Sequence, residues 1–200
     1  MNKTIYKVLL STALILSVTM IGIRIYYVNV NAIQQQIEYY SINQEVQLDG
    51  CFLDIVEECT NGYAVTVHSA KLTTYGEFAE RFEGSPEPQS YELSSQSKII
   101  ELDLTIKNED NQDGYIFLKA WGLQSHNDEW IPCTELWGIE FSQANNSFSF
   151  ALKPNSEMRI SVPFETNNDY ELMHGDYPIE DNYYLVISQA PVKKMIKIDL

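Results

Sequence analysis

Cysteine, histidine and basic side chains are all scarce in this chain. Its 200 residues include three cysteines, three histidines and 13 Lys plus Arg, against 28 Asp plus Glu. The cysteines are too few for a disulfide framework, and none has the spacing or the neighbouring histidine of a zinc site. A strongly acidic surface repels nucleic acid and anionic lipid head groups. The composition therefore argues against a disulfide scaffold, a zinc knuckle and a nucleic-acid partner.

The chain also lacks the motifs of the common catalytic sites. It has no Gly-x-Ser-x-Gly elbow, no phosphate-binding glycine loop and no His-Glu-x-x-His zinc helix. His68 falls in a predicted strand, whereas His126 and His174 fall in predicted loops, and no serine beside them has an elbow sequence. We therefore predict no catalytic residue and no cofactor. The alternative is a hydrolase whose active site is assembled from residues distant in sequence.

One acidic loop, residues 108–114, has the composition of a calcium site but not its spacing. An EF-hand places oxygen ligands at positions 1, 3 and 5, glycine at position 6 and glutamate at position 12. If Asn108 is position 1, then Asp113 is position 6, Gly114 comes one place late and Lys119 is position 12. The composition therefore indicates a hairpin tip, and we predict no metal site.

What the chain does have is a long uncharged stretch near its amino terminus. Residues 8–23, VLLSTALILSVTMIGI, contain no charge; two lysines precede them, and every acidic residue follows them. Extended to Val28, the stretch spans about 31 Å as a helix, which is close to the thickness of a bilayer core. The positive-inside bias leaves the amino terminus in the cytoplasm. We predict a transmembrane signal anchor from Val8 to Val28.

A cleaved signal peptide is the alternative to the anchor. Val30-Asn31-Ala32 has small residues typical of a cleavage site, and cleavage near Ala32 would release a secreted protein. The first cysteine, Cys51, lies too far from the apolar run for a lipidated amino terminus. Both interpretations export the rest of the chain, which after Asn31 contains ten basic and 28 acidic residues, a formal charge of −18.

The anchor interpretation divides the chain into four parts. We predict a cytoplasmic amino terminus at residues 1–7, the anchor at residues 8–28, a stalk at residues 29–44 and an extracellular domain at residues 45–200. In the stalk, Ile33, Ile37 and Tyr40 repeat at helical spacing, which predicts a helical continuation of the anchor. The remaining part is long enough for one domain with its own core.

Most of that domain alternates apolar and polar residues with the period of a β-strand. The clearest segment is KIIELDLTIK, residues 98–107, which predicts one buried face and one wet face. Further predicted strands are residues 45–48, 63–72, 115–124, 148–152, 158–164, 183–188 and 195–200. We expect three hairpins, which pair 98–107 with 115–124, 148–152 with 158–164, and 183–188 with 195–200. Pro163 indicates an edge strand or a strand end.

Helical spacing occurs once within the predicted domain. Tyr75, Phe78, Ala79 and Phe82 form the apolar stripe of a two-turn helix, with Thr73 or Thr74 as its N-cap. Residues 124–137, which contain Trp130 and Trp137, are predicted to be a crossing loop with packed aromatic side chains.

These elements predict an antiparallel, immunoglobulin-like β-sandwich of seven or eight strands with one short helix, preceded by a transmembrane helix. Cys51 and Cys59 flank a short loop and are the candidate pair for a disulfide outside the cell. The Cys…Trp…Cys pattern of true immunoglobulin domains is absent.

Several short segments resemble a known family. They are NGYAVTVHSAKL at residues 61–72, followed by Glu77-Phe78, then IKN at 106–108, WGL at 121–123, LKP at 152–154 and VPF at 162–164. Together they resemble a domain-of-unknown-function family of exported, membrane-anchored proteins of Gram-positive bacteria. The resemblance implies export and anchoring. That family carries no assigned activity, so the resemblance transfers no catalytic or binding residue.

Two functions agree with these features. The first is a non-catalytic binding or accessory module that recognises a cell-surface protein, peptide or glycan, because the chain is rich in tyrosine and groups Trp121, Trp130 and Trp137 in sequence. The second is the hydrolase named above. An exposed tryptophan groove would support binding, and two carboxylates converging in a cleft would support catalysis. We expect the binding module, with the membrane as a partner through the amino-terminal helix.

Overall fold

A computed structural model describes residues 3–32, 35–50, 58–85, 87–89, 93–125, 129–141, 148–166 and 182–200. The chain forms two compact units, Met1–Gln35 and Gln36–Leu200. The first contains helix α1, and the second is mainly β.

Helix α1 extends over Lys3–Val30. Its Leu9–Val30 portion has 22 residues and a mean hydropathy of 1.8, and 22 helical residues are about 33 Å long, enough to cross a bilayer core. The large apolar side chains of residues 9–30 are exposed within this unit. Length and composition therefore agree with a membrane span, and a signal sequence shares both properties.

The β-unit contains eleven strands in its described part. They are β1 Gln36–Tyr40, β2 Val46–Leu48, β3 Tyr63–Thr74, β4 Lys98–Asn108, β5 Ile116–Phe117, β6 Gly122–Gln124, β7 Glu129–Trp130, β8 Ser149–Phe150, β9 Ser156–Glu165, β10 Tyr183–Ser188 and β11 Val192–Ile198. The unit also has two short α-helices, α2 Tyr75–Arg81 and α3 Thr134–Glu140, and a 3-10 turn at Leu118–Ala120.

Two larger sheets and one small sheet organise these strands. The five-stranded sheet has the order β1-β11-β10-β6-β7, and the four-stranded sheet has the order β2-β3-β4-β9. β5 and β8 form a separate pair. All described pairings are antiparallel except that β1 runs parallel to β11, with Gln36 opposite Val192 and Tyr40 opposite Ile196. The fold is therefore mainly β, with one mixed sheet.

The strand prediction at residues 98–107 is confirmed by β4, which lies between β3 and β9. Leu102, Leu104 and Ile106 are fully buried and belong to the main core, to which both larger sheets contribute. In β3, Val65 and Val67 face that core, and a bulge between Val67 and Ser69 shifts the alternation, so that Ala70 packs on the same side.

The prediction of helix α2 is also confirmed. Thr74 is its N-cap: the Thr74 hydroxyl accepts a hydrogen bond from the Glu77 N–H, and the Glu77 carboxylate accepts one from the Thr74 N–H. This reciprocal pair is a capping box. The predicted apolar stripe packs with Ile99, Cys133 and Leu136 in a second core.

That second core corrects the prediction that β4 has one wet face. Ile99 and Glu101 alternate with core residues, yet they are 0% and 4% exposed. The reason is that Ile99 packs with residues of α2 and α3 on this side of the strand. Only towards the other end, at Asp103, Thr105 and Lys107, is the face partly open.

Three local predictions are wrong. Residues 36–40 do not continue the helix as a stalk but form strand β1. Residues 115–124 do not pair with β4, because β5 pairs with β8 and β6 with β10 and β7. Likewise, β9 pairs with β4 and not with residues 148–152. The hairpin of β10 and β11 is confirmed, and Pro163 does lie in an edge strand, β9.

Two further differences concern the count of elements. Residues 124–137 are not a loop throughout, since they contain β7 and most of α3. The described part of the β-unit therefore has more strands than the predicted seven or eight and two short helices instead of one.

Candidate functional site

A group of charged side chains lies where α2 and α3 pack against β4. We call Lys71, Arg81, Glu101 and Glu140 the Glu101 cluster. Glu101 lies on β4, and the strand alternation that buries its apolar neighbours directs its side chain to the opposite face. Arg81 ends α2, and Glu140 ends α3, so the two helices bring both groups to the same face of the sheet.

Glu101 is the most buried member of the cluster, and two cations neutralise it. Arg81 Nη1 donates to Glu101 Oε1 at 2.9 Å, Arg81 Nη2 donates to Oε2, and Lys71 Nζ lies 3.3 Å from Oε2. Burial alone would raise the pKa of Glu101, but hydrogen bonds and charges from Arg81 and Lys71 outweigh it and hold the pKa below its ordinary value. Glu101 therefore stays ionised.

Glu140 has a different environment. Its Oε1 accepts a hydrogen bond from the Ser161 N–H at 3.1 Å, and its Oε2 is buried without a hydrogen-bond partner among the described residues. Burial raises the pKa of Glu140 to about 7, and the charge of Glu101 adds to this, while the Ser161 N–H and Arg81 oppose it. The two carboxylates thus repel each other, but Arg81 and Lys71 already neutralise the charge of Glu101. The hydrogen bond from the Ser161 N–H joins the end of α3 to β9.

We expect Glu140→Gln to stabilise the protein at pH 8 by about 1–2 kcal/mol and to leave its stability unchanged near pH 4.5. The folded protein keeps the Glu140 proton up to about pH 7, whereas the unfolded chain loses it near pH 4.5. The folded state therefore binds more protons in this window, and wild-type stability falls as pH rises through it. Glutamine keeps the acceptor for Ser161 without the charge.

Thermal unfolding of the full-length protein in detergent, followed by tryptophan fluorescence across this pH range, measures the effect. Glu157→Gln, at an exposed position of β9, is the control and should show no such pH-dependent gain. If wild type and Glu140→Gln unfold at the same temperature at pH 8, ionisation of the buried Glu140 carboxyl does not destabilise the folded protein.

The open part of the β3–β4–β9 face contains the only described histidine. His68 Nε2 forms a hydrogen bond with Thr105 Oγ1 at 2.8 Å, and Arg159 binds the Asp103 carboxylate through two donors. This contact with Arg159, partly offset by burial, lowers the pKa of Asp103. These side chains bind one another across the strands. His126 and His174 lie outside the described residues.

The three tryptophans do not form an exposed groove. Trp121 and Trp137 are 1% and 2% exposed, and both belong to the main core. Trp130 is half-buried, with its ring 5.6 Å from that of Tyr183. Their grouping in sequence therefore reflects the packing of the core.

Exposed apolar side chains lie instead on β1. Ile37 is 44% exposed and Tyr39 is 64% exposed, and the Tyr39 ring packs edge-on against that of Tyr184 on β10 at 5.7 Å. The predicted helical stalk at residues 29–44 did not contain this surface, because a helix would separate these side chains from a sheet edge. The available signal was the alternation in Ile37-Glu38-Tyr39-Tyr40, which has the period of a strand.

Residues 37–194 match a family described as Domain of unknown function (DUF5028). The chain belongs to this family. Neither the curated proteins nor the solved structures give a significant match. The DUF5028 match begins at Ile37 in β1 and ends at Lys194 in β11, so it covers nearly all of β1 but only the first three residues of β11.

In this DUF5028 domain, the asparagines of residues 108–114 bind backbone groups. The Asn108 side-chain amide donates to Leu152 O at 2.7 Å and to Asn111 O at 2.9 Å. The Asn111 amide donates to Cys59 O and Asn61 O. These contacts fasten the turn between β4 and β5 to the neighbouring loop. Among the residues that the structure describes, no three His, Cys, Asp or Glu side chains are grouped as metal ligands.

The predicted Cys51–Cys59 disulfide stays a prediction, because Cys51 lies outside the described residues. Cys59 is exposed. Cys133 is buried in the second core, and burial raises the pKa of its thiol to about 11, so it is protonated at neutral pH and packs as a small apolar side chain.

Proposed function

We propose that this DUF5028 protein is a membrane-anchored extracellular protein whose β-unit is a non-catalytic binding or accessory module at the cell surface. The apolar helix α1 and the charge distribution around it support the anchor and its orientation. The family resemblance supports a Gram-positive bacterial source. The two larger sheets with one core support an immunoglobulin-like sandwich scaffold, to which β1 adds a parallel edge strand.

The observation that carries the binding role is the exposed apolar surface of β1. Removing an apolar side chain from water is favourable by about 25 cal/mol for each Å² of apolar surface buried, so an exposed one favours contact with a partner. Ile37 and Tyr39 leave much of that surface exposed within the DUF5028 domain. Exposed aromatic side chains next to one another are typical of recognition surfaces.

A single experiment on intact cells tests both halves of the proposal. The full-length protein receives a tag after Leu200 and the photoreactive amino acid benzoylphenylalanine in place of Tyr39. Protease added to intact cells should remove the tag, while the anchor stays in the membrane. Irradiation should produce a cross-linked adduct from position 39.

Benzoylphenylalanine in place of Glu157, which is exposed on β9, is the matched control and should give no adduct. A tag protected until the cells are lysed would disprove the topology. A soluble protein that begins at Ile33 would show cleavage after Ala32. Equal adducts from both positions would show that β1 is not a specific binding surface.

A further inference from the structure

The two larger sheets end in four edge strands, and three of these are short or covered. β7 has two residues and β2 has three, so neither offers a long row of free backbone groups. Exposed edges are sites where another chain can add as a strand, and proteins protect them by shortness, proline, charge or a covering segment.

The edge of β9 is covered by the segment that contains α3. The Cys133 N–H donates to Pro163 O at 2.7 Å, Pro132 and Phe164 form an isolated bridge, and the Ser161 N–H donates to Glu140 Oε1. Pro163 lies two residues from Ser161, so its nitrogen points to the same edge, where it offers no N–H. The edge of β9 is therefore protected both by a covering segment and by a proline.

Among the residues that the structure describes, nothing covers strand β1, and the strand has no proline. It is five residues long, contains no bulge, and pairs only with β11 in the part of the chain that the structure describes. Its single charge is Glu38, whose carboxylate accepts hydrogen bonds from the Tyr40 hydroxyl at 2.5 Å and from Gln36 Nε2 at 3.3 Å. No cation forms an ion pair with Glu38 among these residues.

We propose that β1 binds an extended polypeptide segment of another protein as an added strand, and that this segment alternates apolar or aromatic residues with lysine or arginine. The inference rests on the binding role proposed above and names the class of partner. A strand added to β1 would bond to the backbone groups on the side of β1 away from β11, which pair with no other described strand. Its side chains would lie beside those of β1 on both faces of the sheet.

The chemistry of each face specifies the alternation. On one face the added strand meets Ile37 and Tyr39, with Tyr184 behind them, which favours apolar or aromatic side chains. On the other face it meets Glu38, which favours a cation. The formal charge of −18 after Asn31 attracts a basic segment over a longer range.

The same charges disfavour a second copy of this chain as the occupant. Two β1 strands paired about their midpoint would place one Glu38 opposite another, and like charges directly opposite each other destabilise a sheet. The net charges of the two domains would also repel each other.

A fluorescent ten-residue peptide that alternates valine and lysine is a direct probe, with the full-length protein in detergent micelles. We expect this peptide to bind about tenfold more tightly than the same peptide with glutamate in place of lysine. N-methylation of alternate backbone amides, which blocks strand pairing and keeps the charge, should abolish binding.

Variants of the protein separate strand addition from general charge attraction. Ile37→Lys should weaken binding by about tenfold, whereas Ile131→Lys, at an apolar position 56% exposed outside β1, should bind like wild type. Glu38→Lys should weaken binding of the lysine peptide and strengthen binding of the glutamate peptide. A gain for one peptide cannot result from misfolding.

Equal binding of the N-methylated peptide, or an unchanged affinity in Ile37→Lys, would overturn the inference. So would a concentration-dependent dimer that Ile37→Lys dissociates, because the occupant would then be a second copy. If no peptide binds but position 39 still cross-links on cells, strand addition fails while the binding role stands. If no peptide binds and position 39 gives no cross-linked adduct on cells, the proposed binding role is wrong as well.

Discussion

Leu102→Asp is expected to abolish folding of the β-unit, whereas Asp103→Leu should cost about 1 kcal/mol or less. Leu102 is 0% exposed in the central strand β4, between Ala70 on β3 and Val162 on β9. A carboxylate there would be buried without a partner, at a cost of several kcal/mol. Asp103 lies on the opposite face and contributes a partly exposed pair with Arg159.

Limited proteolysis and tryptophan fluorescence of the two full-length variants distinguish these outcomes. Leu102→Asp should be digested rapidly and lack the fluorescence of buried tryptophan, and Asp103→Leu should resist digestion like wild type. Similar behaviour of the two variants would contradict the alternation of β4 and the position of the main core.

Arg81→Met should destabilise the protein by about 2–4 kcal/mol near neutral pH. Its removal leaves the carboxylate of Glu101, which is 4% exposed, close to the charge of Glu140. Lys71 remains, but it is 54% exposed and lies 3.3 Å away, so it compensates only in part. Methionine retains much of the packing on Phe78 and Phe82, over whose rings the guanidinium lies.

Arg159→Met is the matched control, since it breaks an equivalent two-donor contact with Asp103 at a position 66% exposed. We expect it to cost about 1 kcal/mol or less, because water screens exposed ion pairs. If both variants lose a similar amount of stability, the burial of Glu101 does not explain the contribution of its ion pair with Arg81.

The pH dependence gives a second measurement on Arg81→Met. In wild type the pKa of Glu101 is depressed, so its contribution to stability is present above the ordinary carboxyl pKa and is lost as pH falls through the folded value. In the variant, burial and Glu140 should raise this pKa. The stability difference between wild type and Arg81→Met should therefore shrink as pH falls towards about 4.

Strand β4 and helix α2 were predictable because local patterns define them. The alternation of Leu102, Asp103 and Leu104 determines the two faces of a strand wherever it pairs, and Thr74 and Glu77 cap α2 through bonds within four residues. Helix α1 was predictable for a related reason, since its length and apolar composition are visible in one continuous run of sequence.

The pairing of the strands was not predictable from neighbouring residues. Sequential strands often pair, and this preference led to the expected hairpins at residues 98–124 and 148–164. In the structure β4 instead pairs with β3 and β9 over nearly its full length. These pairings are stabilised because segments distant in sequence bury both faces of β4. A short stretch of sequence does not contain those segments.

Strand β1 illustrates the same limit at the candidate site. The segment that contains Ile37, Tyr39 and Tyr40 is compatible with either a helix or a strand, and short segments of this kind are ambiguous. The decisive contact is its parallel pairing with β11, at the far end of the chain.

The amino-acid sequence alone specifies the apolar amino-terminal helix, the acidity of the rest of the chain, the capped helix α2 and the faces of the longest strands. These features depend on composition and on residues a few positions apart. The burial of Glu101, the coverage of the β9 edge and the open edge of β1 depend on which distant segments meet. Burial and backbone pairing are properties of the assembled sheets, so the position of the proposed binding surface at a sheet edge depends on the pairing of β1 with β11.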